Sequence, residues 1–501
     1  MQRPVTGKNA TDPASSGARL CFSLLIACAL VMLTARLLGP STLHRFDQPR
    51  TVSYTADVIL NGRWFLPRDM LGGPATKPPL VNWLATPVVA LGFWTEWAVK
   101  WPMIAGTLAT TAFCVCMAHR LFRQLPELKA QAKSAAAVAG IACLVNSPNV
   151  TMIYHCRPDP VLVAFLTGGW ILGTMIVSGK EAPSRFAVCG FWIAVGLAAL
   201  TKGPAAIVPV LYLALAARLI GGRWSLMNRS RWWWGFPLAL AMFCAWAVPV
   251  AIIYPKTFFR LLVGQELIAQ ALGLGAQFGA TNIESAGPLV ALKLIWENPM
   301  WFVERFAPWS VLTVGALWTI GPRHWFRHRL APAILYVFLV LAFFALSAHK
   351  TADYILPVYP AAAILAAYFC ATFLDRFRIR LWQVAGLGFL LAVIFAVTAV
   401  CTKAGQDRAD DNLKTFAREV DRIVRDDPVV FVKTGFNTLQ FFLHRHQGGG
   451  PKREQIEQAK WVIMPVLPDV PAELRSQSVP EINEKRFVLG LYRIETVRSR
   501  L

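Results

Sequence analysis

In the stretch HRFDQPR, Asp47 stands between Arg45 and Arg50, just beyond the first long apolar run. Other charged residues recur in the same kind of place, at the ends of apolar runs. ATKPPL presents Lys77, YHCRPDP presents Arg157 and Asp159, and LTKGP presents Lys202. SAHKTADY adds His349, Lys350 and Asp353, and a later loop adds Glu266, Glu284 and Arg305. A carboxylate can take a proton from an attacking hydroxyl. Lysine and arginine can hold a phosphate. Acids and cations together point to group transfer from an anionic lipid, because a sugar on a phosphate carrier already has a good leaving group. Such a donor needs charge stabilisation more than it needs a protonating acid.

The simpler reading of each residue is an anchor, since lysine and arginine stems snorkel to a membrane interface at little cost. The set is less easily explained that way. Lys202 lies in a connection between two apolar runs that is too short to need a solvating charge, and Asp159 lies at another tight turn between prolines.

The elements that must position these residues are membrane helices. The chain has 501 residues, 55% hydrophobic and 16% charged, with mean hydropathy +0.46. Soluble domains carry roughly 45–50% apolar and about 25% charged residues. A net charge of +22 would suggest nucleic acid in a soluble protein, but basic loops holding the cytoplasmic ends of membrane helices account for it, and no nucleic-acid partner is expected. The ten cysteines lie mostly in apolar runs with no CxxC pair, and read as small buried hydrophobes. The first apolar run continues through Arg36 with no clear small-residue cleavage site, so it reads as an anchor.

Spans need about 20 mostly apolar residues. Eleven candidates are expected: 19–39, 98–121, 134–150, 160–178, 185–201, 203–220, 232–254, 306–321, 331–347, 354–374 and 381–402. A further stretch, PPLVNWLATPVVALGFW (78–94), is shorter and broken by proline. If it lies along the interface, the short basic segments 122–133, 179–184, 221–231, 322–330 and 375–380 all fall on the cytoplasmic side with residues 1–18. If it spans, every basic loop beyond it moves outside. The interfacial reading places 40–97, 255–305, the turns near 151–159 and 202, 348–353 and the tail on the opposite face.

The tail changes character. Leu413, Phe416, Val420 and Ile423 form one helical stripe, while PVVFVKT (428–434), WVIMPV (461–466) and RFVLGLYRI (486–494) read as strands. The expected fold class is an all-α polytopic membrane protein with a small C-terminal α/β domain. Its expected divisions are 1–18 cytoplasmic, 19–402 transmembrane with a first outer loop over 40–97, and 403–501 extracytoplasmic.

DQPRTVSYTADVILNGRWFLPRDMLGGPATKPPLVNWL (47–84), RPD (157–159), LTKGP (200–204) and YILPVYP (354–360) resemble, in order and spacing, the membrane glycosyltransferases of the GT-C fold. The resemblance covers roughly 19–374 and is to the bacterial branch with the lipid A aminoarabinose transferases and the protein O-mannosyltransferases. It implies about 11–13 membrane helices and a polyprenyl-phosphate sugar donor. By resemblance Asp47 is the catalytic base, and Asp159 a second acid orienting the first-loop helices or the acceptor. Lys77 and Lys202 hold the donor phosphate, with Arg50 and Lys350 as further cations; Arg157, His349 and Glu266 are substrate-binding candidates. The family often has an acid where Gln48 stands, and another before the lysine of KPP, where this chain has Thr76. The latter position contributes to a metal site in relatives, so a divalent metal is left open, with Glu266 able to supply a carboxylate.

The leading reading is an inverting glycosyltransferase of the bacterial inner membrane, acting on a lipid A, protein or other envelope-glycan acceptor. A lipid or solute transporter is the alternative. It would want ionisable residues or broken helices at mid-membrane, whereas the charges here collect at span ends. An assembly subunit acting through its tail is a third reading, which leaves the gathered charges unexplained.

Overall fold

The computed structural model describes residues 13–38, 43, 48–179, 181–269, 295–346, 351–434, 438–477, 479–480 and 486–500. Ten helices lead into the site: α1 (Pro13–Leu38), α2 (Gln48–Asn61), α3 (Leu80–Ala90), α4 (Glu96–Phe122), α5 (Ala132–Leu144), α6 (Ser147–Tyr154), α7 (Asp159–Ser178), α8 (Arg185–Lys202), α9 (Ile207–Leu219) and α10 (Trp232–Ile253). Further helices span Trp309–Ile320, Ala331–Ala345, Tyr359–Phe373 and Leu381–Val424. Ten of the eleven expected spans each overlap one of these helices, while 134–150 is divided between α5 and α6, with the break at Val145 and Asn146. Among the described residues seven helical runs are long and apolar enough to cross a membrane, with Arg185–Leu219 counted as one run. Four shorter apolar helices accompany them. One is α3, whose 11 residues reach only about 16 Å, half a hydrocarbon core of about 30 Å.

The bundle buries small residues and exposes large ones. In α5 nearly every position is buried, and alanine dominates. A Cβ on Gly140 would stand 2.5 Å from a Val115 methyl, so α5 and α4 approach closely through small side chains, the usual means of packing helices in lipid. Ile252, Trp318, Phe186 and Leu387 point outward from their helices and are exposed, as lipid-facing residues are.

The C-terminal domain stands on the far half of Leu381–Val424, a 44-residue helix running unbroken through the boundary expected at 402/403. Strand Val429–Phe431 pairs in parallel with Trp461–Pro465. Trp461–Pro465 pairs antiparallel with Leu489–Arg493, which in turn pairs with Leu474–Arg475. Leu413, Phe416, Ala417, Val420 and Val424 cover this sheet. The expected stripe needs one correction: Ile423 is exposed and Val424 takes the inner position, because 3.6-residue spacing returns to the face at 424 after 413, 417 and 420.

Candidate active site

The site is assembled from helix ends. Asp159 is the first residue of α7, followed by Pro160. Proline is preorganised for the first helical turn, and an acid there meets the positive end of the helix dipole. Lys202 ends α8, where a cation is favoured for the converse reason. Gly203 follows at φ +60°, a conformation that side chains avoid, and the chain turns into α9. A Cβ on Gly169 of α7 would meet both Ala194 of α8 and Pro209 of α9, and one on Gly173 would meet Phe191 and Tyr212. Three residues back along α8 are matched by three residues forward along α9, so α8 and α9 form an antiparallel pair against α7. The start of α7 and the end of α8 meet at one face, and Lys202 Nζ donates to Asp159 Oδ1 at 2.6 Å.

From this pair a chain of charges runs across the bundle end. Arg157 Nε lies 3.5 Å from Asp159 Oδ2, and its Nη1 donates to Asp353 Oδ2 at 2.5 Å. Arg305 Nη1 lies 3.4 Å from Asp353 Oδ1. Lys202 also sits 4.7 Å from the centre of the Tyr354 ring. Asp159 is 3% exposed, so its charge depends on these cations. Among the described residues its Oδ2 accepts no hydrogen bond and has only the ion pair with Arg157, which leaves acceptor capacity for an incoming group. Lys77, half-buried, is close enough for its charge to act on Asp159, and among the described residues its ammonium makes no ion pair.

Close backbone packing holds the cluster in place. A Cβ on Gly106 of α4 would stand 2.7 Å from the carbonyl oxygen of Pro160, so glycine lets α4 lie against the start of α7. Gln48, fully buried, accepts from Cys156 N–H through Oε1 at 2.9 Å. It thereby ties the start of α2 to the segment that carries Arg157 and Asp159. Among the described residues its Nε2 is buried without a partner.

Asp159, Lys202 and Arg157 are thus brought together, with Lys77 near them. Arg50 lies 4.0 Å from Asp69, and its side chain is 47% exposed. Asp47, His349 and Lys350 lie outside the described residues. Glu266 falls in the π-helical segment Phe258–Ala269, its side chain outside the description. Among the described residues no three His, Cys, Asp or Glu side chains converge as a metal would require.

Several residues of the first outer loop were not anticipated. Asp57, fully buried, accepts from Asn61 Nδ2 at 2.6 Å, Arg68 N–H at 2.7 Å and Arg63 Nη1 at 3.1 Å. Asp69 accepts from Gly73 N–H at 2.7 Å and from Leu71 N–H at 3.0 Å. Burial pushes the Asp69 carboxyl up, against those hydrogen bonds and the nearby Arg50 and His446. A sequence signal did exist: Ser53, Asp57 and Asn61 follow one another at four-residue spacing, on one face of a helix.

The comparisons with known proteins agree with this architecture. A family model described as Dolichyl-phosphate-mannose-protein mannosyltransferase matches residues 76–250. An undecaprenyl phosphate-alpha-4-amino-4-deoxy-L-arabinose arabinosyl transferase of Enterobacter sp. (strain 638) is 23% identical over 69% of this chain and 59% of its own length. The transferase of the same name from Aeromonas salmonicida is 25% identical over 71% of this chain and 62% of its own. The chain therefore spans about three-fifths of the length of these relatives. The crystal structure of ArnT from Cupriavidus metallidurans bound to undecaprenyl phosphate superimposes with TM-score 0.72 at 17% identity, over 93% of this chain and 97% of the other. An oligosaccharyltransferase of Archaeoglobus fulgidus gives 0.53 at 13% identity, over 88% of this chain and 68% of the other.

Fold and site together define the class: this is a polytopic membrane protein of the GT-C fold with a small α/β domain at its C-terminal end. Within that class it resembles the aminoarabinose transferases and the protein O-mannosyltransferases.

Proposed function

We propose that the protein is an inverting glycosyltransferase that moves a sugar from a polyprenyl-phosphate carrier to a hydroxyl or phosphate acceptor on the outer face of the inner membrane. The acceptor is a lipid A, a protein or another envelope glycan. The N-terminus is cytoplasmic and the C-terminal domain periplasmic. One observation carries the reading: the chain Lys202–Asp159–Arg157–Asp353–Arg305 at one end of the bundle, with Lys77, unpaired among the described residues, beside it.

The acceptor oxygen attacks the anomeric carbon from the face opposite the phosphate. The bond from that carbon to the phosphate oxygen breaks, and its electron pair leaves with the polyprenyl phosphate. A hydroxyl acceptor loses its proton to Asp47. Lys77 and Lys202 hold the phosphate as its charge grows, which lowers the barrier because fixed charges need no reorganisation. Lys202 shares itself between that phosphate and Asp159, and Asp159 orients the acceptor through Oδ2, which faces Arg157 Nε at 3.5 Å. Lys350 and His349, which stand just before Asp353 in sequence, are further candidates for the donor phosphate and the substrate. Arg50 is a weaker contributor, since it would have to leave Asp69. Glu266 remains a candidate contact from the later loop, and the donor set for a metal stays open.

The deciding experiment is mass spectrometry of envelope lipids, glycans and proteins from cells with and without the protein. A hexose or pentose lost from one fraction names both sugar and acceptor, and no difference in any fraction would remove the transferase reading. Asp47→Asn abolishes transfer while expression and insertion persist, and full activity in that variant would remove Asp47 as the base.

A further inference from the structure

The C-terminal domain reaches into the first outer loop through the segment 438–449. Phe441 is fully buried in one apolar cluster with Val52 and Ala56 of α2, Met70 of the loop, and Val81 and Val89 of α3. Trp94, in the turn before α4, stacks on His444 at 4.7 Å and tilts against Phe441 at 5.3 Å. Gly449 N–H donates to the Met70 carbonyl at 3.2 Å. Lys414 of the long helix pairs with Glu96 at the start of α4.

At the centre is His446. Its Nδ1 lies 3.2 Å from Asp57 Oδ1, and both side chains are fully buried. Its Nε2 lies 3.2 Å from Ser53 Oγ, and Ser53 is buried as well. Asn61 Nδ2 donates to the His446 carbonyl at 3.3 Å. Serine, histidine and aspartate stand in the order of a hydrolase triad, but with all three side chains enclosed no substrate reaches the hydroxyl. The arrangement is a lock instead. The neutral imidazole donates from Nδ1 to the carboxylate and accepts the serine proton at Nε2, so one tautomer satisfies both partners.

The lock continues to Lys77. Asp57 holds Arg68 N–H, Arg68 forms a β-bridge with Pro74, and Ala75 N–H donates to the Pro67 carbonyl at 2.8 Å. Lys77 follows two residues later.

We infer that the C-terminal domain is a latch on the first outer loop, and that His446 is the positioning residue that sets Lys77 against the Asp159 cluster. The inference rests on the reading of Lys77 as a donor-phosphate ligand. It makes the tail part of donor binding, while no residue of the tail touches the reacting atoms.

The test uses the purified full-length protein in lipid nanodiscs, with undecaprenyl phosphate as the probe. Two quantities are read: its binding constant, and deuterium uptake by residues 62–79. In His446→Ala the binding weakens by about tenfold or more, the effect of losing one well-placed contact, and uptake over 62–79 rises. His446→Gln restores most of both, because its amide can replace one hydrogen bond. In turnover the donor KM rises more than kcat falls. Wild-type binding and uptake in His446→Ala would overturn the latch. A wild-type protein that ignores undecaprenyl phosphate would overturn the donor reading instead, and uptake would still report on the latch. Should His446→Ala fail to accumulate, Trp94→Leu loosens the same contact from the other side and the same two readings decide.

Discussion

Asp159 and Lys202 show how much depends on single side chains. Asp159 is buried and the Lys202 side chain is only 17% exposed, and a buried charge that loses its partner costs about 3–5 kcal/mol. Lys202→Met therefore destabilises the protein by about that amount, read as a lower thermal midpoint in detergent. The double variant with Asp159→Asn recovers part of the loss, since no orphaned carboxylate remains. Additive losses in the cycle would mean that the 2.6 Å pair carries no coupling. Gln48 makes a quieter contribution. Gln48→Ala removes the Oε1 that accepts from the buried Cys156 N–H, at a cost of about 1 kcal/mol for the lost hydrogen bond. Because the next residue is Arg157, transfer falls along with stability. A variant as stable and active as wild type would deny Gln48 any role in placing the cluster.

Among the elements, α2 is the one whose setting depends most on its neighbours. Its buried face meets His446, and burial pushes that imidazole below its ordinary value. Asp57 raises it and Arg63 lowers it, and Asp69 lies near enough to interact with the protonated form. A histidine held neutral in the fold binds its proton more weakly there than in the unfolded chain. Its contribution to stability is therefore complete above about pH 6.5, the free imidazole value. It declines as pH falls through that value toward the folded one. Deuterium uptake by α2 and residues 62–79, taken relative to the intrinsic exchange rate at each pH, should rise as pH falls from 7.5 to 5.5 in wild type and stay nearly level in His446→Gln. Equal slopes in the two proteins would assign the pH dependence to another group.

At the scale of the whole molecule, α4 is the ruler. Glu96 at its start pairs with Lys414 of the C-terminal domain, and Phe122 at its end leads to Arg123 and the basic segment before α5. The tail and that basic loop thus lie at opposite ends of a 27-residue helix. That length, about 40 Å, exceeds the hydrocarbon core. With the basic loops inside, the exposed position 457 in Glu457→Cys labels with an impermeant thiol reagent from the periplasm. Position 129 in Lys129→Cys labels only after the inner membrane is opened. Labelling of both from one side would refute the arrangement.

Local chemistry alone determined the membrane class, the helices and the change of character in the tail, because hydropathy and residue period are properties of contiguous sequence. It also marked Lys77, Arg157, Asp159 and Lys202, since a charge at the end of an apolar run has few ordinary reasons to be there. Only the tertiary structure decided which of these meet. The meeting of Asp159 with Lys202 depends on three helices sharing a height around Gly169 and Gly173, and Arg50 was drawn off to Asp69 by the fold of its own loop. The lock of Ser53 and Asp57 with His446 was invisible in the sequence for the same reason. About 390 residues separate its two halves, and no local pattern encodes a contact formed when a C-terminal domain closes over an N-terminal loop.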